Sequence, residues 1–573
     1  MNKSFIVCFL CCLLMAPAFS QINFKHQSNR SFTYQEAIDN FKILADEYAE
    51  IELVETNYLT DVGRPLHVVV YNNDKKFKPG EIDRNKKTVL FINNAIHPGE
   101  SCGVDASVKL FSDLGKFHKL YPNVVVVCIP VYNIGGMLNR SKYNRSAQPG
   151  PVECGFRGNY QNLDLNRDFI KTDALNTEGF VQLFQQWNPN LFMDTHTTNG
   201  SDHQYTITLI TSQKDKMNPE LKNYVYGKME PMLYSEMKKK NVEMIPYVYS
   251  INKTPDKGIK DFLETPRYSS GYANLFNCIS FISEAHKYKS FNGRVEQTYE
   301  LLKYLCEYAT RNTNDLIEVK RRADEYSKNQ KDFYLTWSLD TSKSQKLPFK
   351  GYALESKKSD VTGQAMIHYN RDKKVDMEIP YFREYVAADR VDAPDYYVIP
   401  QCYRSVAKRL ELNGVEVKVI DRDTILNGEM YRIDNFHSIK SPYEKHFMHD
   451  HIHVTPSKQS IQFYKGDYLV STNQKNKRFI VEVLEPHASD SYFRWNFFDN
   501  ILQQKEWFSD FGFDPVAKDL LVNDENLKKS FEEKRNSDTT FAKNHFQQLY
   551  WIFLRSPYYE KTHRRYPVMR YFE

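Results

Sequence analysis

Cysteine is scarce in this chain and poorly spread for cross-linking. Nine occur in 573 residues, and Cys8, Cys11 and Cys12 fall within the first twenty. Cys102, Cys128, Cys154, Cys278, Cys306 and Cys402 remain, too sparse for the disulfide scaffold of a small secreted domain, and no pairing is selected. Buried free thiols are an equally good reading. Past residue 20 there is no apolar run of the roughly eighteen residues that a membrane-spanning helix needs. No concentrated basic stripe exists either. The net charge of +5 and pI near 8.4 are spread over the whole length, which argues against a nucleic-acid partner. Internal repeats and low-complexity tracts are also missing, which excludes solenoids. The length exceeds what one core supports, so two or three domains are expected.

The N-terminus carries a strong signal. "MNKSFIVCFLCCLLMAPAFSQ" has Lys3, an apolar run from Phe5 to Met15, then Pro17 and the small residues Ala18 and Ser20. This pattern predicts a secretory signal peptide over residues 1–20, with Gln21 first in the mature protein. The expected location is secreted or periplasmic.

The next part alternates strand and helix signals. Thr33 and Glu36 have capping-box spacing ahead of a helical pattern. "PLHVVVYN", "KKTVLFIN", "NVVVVCIPVYN", "NPNLFMDTH" and "CISFISEAH" read as buried strands, with helical stretches such as "GVDASVKLFSDLGKF" between them. The pattern predicts an α/β fold with a mixed, mostly parallel sheet flanked by helices over residues 21–334. Residues 335–500 read as a β-rich accessory domain, and 501–573 as a helical C-terminal tail.

Polar residues cluster where the buried strands end, the place where ligands gather in open α/β sheets. "FINNAIHPGE" places His97 and Glu100 around a Pro-Gly turn after one strand. That is two thirds of a His₂Glu zinc site with an open coordination position. "LFMDTH" ends in His196, a candidate third ligand, with Asp194 either orienting it or capping a turn. "NLDLNRDF" carries Asn166 and Arg167 in a polar turn, and "ISFISEAH" brings Glu284 to the end of a later strand.

The ordered set of H-x-x-E, "NIGG", "DLNRDF", "DTH" and a strand-ending Glu resembles the zinc carboxypeptidases of the carboxypeptidase A type, the funnelins, here as a secreted, multidomain bacterial form. The likeness covers roughly residues 30 to 310. It implies a zinc carboxypeptidase-like catalytic domain in which His97, Glu100 and His196 hold one Zn²⁺. It implies hydrolysis of C-terminal residues by a zinc-activated water, with Glu284 as general base. Asn166 and Arg167 would grip the terminal carboxylate of a peptide or protein substrate. An oxyanion-stabilising Arg is expected among Arg140, Arg145 and Arg157; Arg157, nine residues before Asn166, is preferred. A phenol closing the site would be Tyr268 or Tyr272.

Two departures bear on substrate class: "NIGG" at Asn133 to Gly136, and Glu284 followed by "AH". Alternatives are a zinc-dependent deacylase or cell-wall peptide hydrolase on the same fold, or a binding module without catalysis. The terminal side-chain preference is not legible, although Asp256 or Asp261 would favour basic ends. His203 reads as structural or as a pocket rim, and His286 has no assigned role. "HDHIH" (His449, His451, His453) reads as an exposed polar strand face rather than a metal site.

Overall fold

The computed structural model describes residues 22–198 and 200–573; the signal-like residues 1–20 lie outside it. The first helix, Tyr34–Glu47, begins at the expected capping box, with Thr33 and Glu36 exchanging side-chain and backbone bonds.

Among the described residues, ten strands occupy the first half: β1 (Ile51–Leu59), β2 (Pro65–Asn72), β3 (Thr88–Asn93), β4 (Val124–Ile129), β5 (Leu191–Thr198), β6 (Ile207–Thr211), β7 (Met244–Pro246), β8 (Tyr249–Ser250), β9 (Ile259–Lys260) and β10 (Ile279–His286). Eight of them form one sheet in the order β1-β2-β4-β3-β5-β10-β6-β7. Its centre, β4-β3-β5-β10, is parallel, while β1-β2, β2-β4 and β10-β6 are antiparallel. The architecture is therefore the mixed sheet flanked by helices that the alternation predicts.

Alternation explains how one sheet carries two cores. Leu90 and Ile92 of β3, with Val124, Val126 and Cys128 of β4, face one side. There they meet the helices Tyr34–Glu47, Cys102–Lys116 and Phe291–Arg311. Val89 and Phe91, with Val125, Val127 and Ile129, face the other side against the helix Leu175–Trp187. Successive strand residues point to opposite faces, so strands covered on both sides read as unbroken apolar runs.

That second core does not end with the first half. Phe333, Tyr397, Phe479, Trp495 and Tyr566 belong to the same buried cluster as Phe91 and Phe192. The hairpin Gln345–Lys358 and Ala365–Phe382 also joins β8 and β9 in one sheet, with Tyr381 opposite Ile259. The break expected at residue 334 is thus not a break in packing.

The second half contains a six-stranded sheet and the helices Asp510–Asn523, Glu525–Ser537, Thr539–Ala542 and His545–Phe553. Phe513, Phe531, Leu549 and Phe553 give these helices a small core of their own. The tail then returns as a strand, Met569–Tyr571, which pairs with Tyr396–Val398. The "HDHIH" histidines do not share a face. His449 is buried with Nε2 2.9 Å from Asp499 Oδ1, while His451, at φ 48°, lies beside a register shift and is exposed like His453. Cys102, Cys128, Cys154, Cys278 and Cys306 are buried free thiols, and Cys402 is an exposed one.

Candidate metal centre and active site

The carboxyl ends of β3, β5 and β10 meet at one edge of the sheet. β3 runs out at Asn93, and the chain turns through a short 3-10 segment, Pro98–Glu100. Close packing fixes where that turn lies. A Cβ on Gly103 would fall 1.9 Å from Thr195 Oγ1, so only glycine lets the following helix approach β5 this closely.

His97, Glu100 and His196 are all buried, and each offers one ligand atom within 4.8 Å of the others. The ring centroids of His97 and His196 are 5.0 Å apart. Both imidazoles are held from behind. His97 Nε2 lies 2.9 Å from Asp164 Oδ1, and His196 Nε2 lies 2.9 Å from Asp194 Oδ2. Asp194 is itself fixed by the Ser269 hydroxyl at 2.5 Å and the Asn93 amide at 3.3 Å. Each Nδ1 therefore points inward: that of His196 is 3.1 Å from Glu100 Oε2, and that of His97 is 3.5 Å from the same oxygen.

His97 Nδ1 is buried and makes no hydrogen bond. A buried imidazole nitrogen without a partner is costly unless something else occupies its lone pair. Two imidazole nitrogens and one carboxylate, each steadied by an outer carboxylate or amide, form a donor set suited to zinc. The residues present fit that ion.

The electrostatics of the cluster agree. Burial alone would push the Glu100 carboxyl up, but Arg145 and His97 hold it well below the usual range. Burial disfavours charge on His196, yet Asp194 and Glu100 raise its pKa well above the ordinary value. Glu100 also accepts from Arg145 Nη1 and from the Thr197 N–H, each at 2.8 Å.

Glu284 stands beside this cluster. It pairs with His196 across parallel β5 and β10, and with Thr208 across β6. Burial pushes its carboxyl up to about 7, with Glu100 adding to the rise and His196 opposing it.

The three arginine candidates separate. Arg140 donates to Ser31 Oγ and to the carbonyls of Phe32 and Glu153, away from the cluster. Arg145 is largely covered, bonding Glu100, the Thr197 carbonyl and Gln148. Arg157 is 41% exposed, holds Asp164 through Nε and Nη2, and brings Nη1 to 3.6 Å from Glu100 Oε1.

Asn166 is buried between His196 Nε2, 3.5 Å from its amide, and the Ser269 N–H, which donates to its Oδ1. Arg167 lies over the Tyr268 ring at 4.4 Å. Tyr272 is elsewhere. Its side chain is fully buried in the second core, and its hydroxyl donates to Asn413 at 2.7 Å. The structure thus gathers Arg157, Asn166, Arg167 and Tyr268 around Asp164 and His196, and leaves Tyr272 out. Asp261 is engaged by the Tyr381 hydroxyl and by Arg383.

Two groups near the site have no signature in the sequence. Tyr247 follows β7, and its phenol pKa is raised by burial and then by the negative charge of Glu284, with Glu100 contributing. The turn at Tyr443 and Glu444 reaches in from the second half: Tyr443 accepts from Arg167 Nε at 3.0 Å, and Glu444 Oε2 accepts from the Asp164 N–H at 2.8 Å.

No family model matches the chain. Among curated proteins it is similar to carboxypeptidase 2 of Trichophyton equinum, 20% identical over 524 residues, covering 84% of this chain and 90% of that protein. Carboxypeptidase 2 of Trichophyton rubrum is also 20% identical, over 71% of this chain and 73% of that protein. Among solved structures, a metallo-carboxypeptidase from Pseudomonas aeruginosa overlaps 50% of this chain and 70% of its own, at 12% identity and a TM-score of 0.37. The carboxypeptidase A of Helicoverpa armigera overlaps 52% and 74%, at 14% identity and a TM-score of 0.36.

Proposed function

We propose that this chain is a zinc-dependent metallocarboxypeptidase that releases C-terminal residues from peptides. The observation that carries the reading is the buried trio His97, Glu100 and His196, with both Nδ1 atoms turned inward and Glu284 in register beside His196. Similarity to fungal carboxypeptidases over most of the chain supports a carboxypeptidase.

A zinc ion held by the trio would supply Lewis-acid polarisation of the scissile carbonyl and an acidified water. The chain's own residues do the rest. Arg167, with Asn166 beside it, binds the terminal carboxylate; a guanidinium suits this because two of its N–H groups can pair with both oxygens. That grip confines cleavage to the chain end. Arg157, exposed next to Glu100, meets the oxygen that gains negative charge as the carbonyl is attacked. Glu284 takes the proton of the attacking water onto its carboxylate and delivers it to the departing amine nitrogen. A carboxyl pushed up to about 7 suits that two-way traffic. Tyr268 stacks on Arg167 and stiffens it.

The reading includes export. Residues 1–20 would be removed, so mature protein should begin at Gln21 on N-terminal sequencing. Among the described residues no helix is long and apolar enough to cross a membrane.

A release screen tests the activity. Zinc-loaded protein is offered peptides with free C-termini and, separately, N-acyl amino acids. Liberation of C-terminal amino acids from the peptides supports the proposal. Hydrolysis of N-acyl amino acids alone would make the protein a deacylase instead.

A further inference from the structure

Tyr443 lies 276 residues beyond Arg167, yet its phenol oxygen accepts the Arg167 Nε proton at 3.0 Å. Arg167 Nη1 donates to the Asn166 carbonyl at 2.8 Å, and the guanidinium lies 4.4 Å from the Tyr268 ring centroid. Edge and face are thus both held, and neither bond uses Nη2. Asp164 Oδ2 is 3.9 Å from Nη1.

Tyr443 is itself held rigidly. Its ring stacks on Trp495 with centroids 6.2 Å apart and planes 18° from parallel. Its backbone closes a two-residue turn, with Tyr443 N–H bonding His446 O at 2.8 Å and His446 N–H bonding Tyr443 O at 3.0 Å. The central residues, Glu444 at φ 48° and Lys445 at φ 75°, are left-handed without being glycine. Such a conformation persists only where surrounding contacts impose it. Here they are Glu444 Oε2 on the Asp164 N–H at 2.8 Å and His446 Nε2 at 2.7 Å from Asp173 Oδ2. Both anchors lie on the segment that carries Asn166 and Arg167.

We infer that Tyr443, from the second half of the chain, is a positioning residue that aims the Arg167 guanidinium at the substrate's terminal carboxylate. This rests on the carboxypeptidase reading. A guanidinium with its Nε edge and one face already held loses less freedom on binding a carboxylate. The second half of the chain then completes the recognition site of the first.

Tyr443→Phe keeps the ring on Trp495 and removes the accepting oxygen. The expected result is a KM for free-carboxylate peptides raised about tenfold or more, with kcat within about twofold. The preference for a free C-terminus over a C-terminal amide should shrink by the same factor. Lys445→Ala, in the same turn, should change neither. An unchanged KM and preference in Tyr443→Phe overturns the inference. Calorimetric binding of 3-phenylpropanoate, a carboxylate with no amide to hydrolyse, to the zinc-loaded protein reads the same grip without turnover. Weakening of about tenfold in Tyr443→Phe supports the inference, even if the wild type releases no residue from peptides and the carboxypeptidase reading falls. Equal binding by both proteins, or none by the wild type, overturns it.

Discussion

Glu284 sits directly opposite His196 in the register of two parallel strands, so their side chains leave the same face of the sheet at its carboxyl edge. Register, rather than a flexible loop, sets the position of the proposed base relative to a proposed metal ligand. Glu284→Gln preserves shape and removes the proton acceptor. Turnover should fall by about 10²–10⁴-fold while the zinc content stays unchanged. Activity near that of the wild type would mean that Glu284 is not the base.

The outer carboxylates make a separate prediction. Asp194 holds His196 Nε2 and is held in turn by Ser269 and Asn93. Asp194→Ala should weaken zinc binding by about 10–100-fold, measured by competition with a chelator. Unchanged zinc affinity would reduce Asp194 to a structural role.

Asp261 lies away from the metal centre, beside Tyr381 and Arg383, and burial pushes its carboxyl up to about 7. This acid binds its proton more tightly folded than unfolded. Its contribution to stability is fully present below about pH 4 and is lost as the pH climbs towards 7. Asp261→Asn keeps an acceptor for Tyr381 but cannot ionise. The variant should gain about 2–4 °C in Tm relative to wild type at pH 8 and little at pH 4.5. An equal difference at both pH values would contradict the linkage.

Packing across residue 334 has a consequence for dissection. Phe276 and Phe479 lie 5.3 Å apart by ring centroids, and both belong to a core that also contains Phe91 and Trp495. A fragment ending at residue 334 would expose that apolar face. It should aggregate or bind a hydrophobic dye, whereas the full chain should not. A soluble, monomeric fragment that unfolds cooperatively would show that the two halves are independent.

Much of the candidate site was legible because its signals are local. His97, Glu100, His196 and Glu284 each follow an apolar run, and a strand end announces itself in a few residues. Asn166 and Arg167 were legible through a short polar turn. Tyr272 misled because a helix begins at Ser269: Tyr268 precedes it, while Tyr272 lies one turn inside and points into the core. Tyr247 had no signature, since nothing in "IPYVYS" marks a phenol for a site. Tyr443 and Glu444 were invisible for a different reason. Their role depends on a contact with residues nearly 280 positions earlier, and one sequence alone carries no register between distant segments. The closing strand Met569–Tyr571 was missed likewise, because three residues are too few for alternation to show.

Metal analysis of the purified full chain tests the central claim most directly. One zinc per chain is predicted for the wild type, with chelation abolishing activity and added zinc restoring it. His196→Ala, verified as folded, should retain almost none. A folded, active wild-type protein without zinc, or a His196→Ala variant that keeps its full zinc content, would contradict the account.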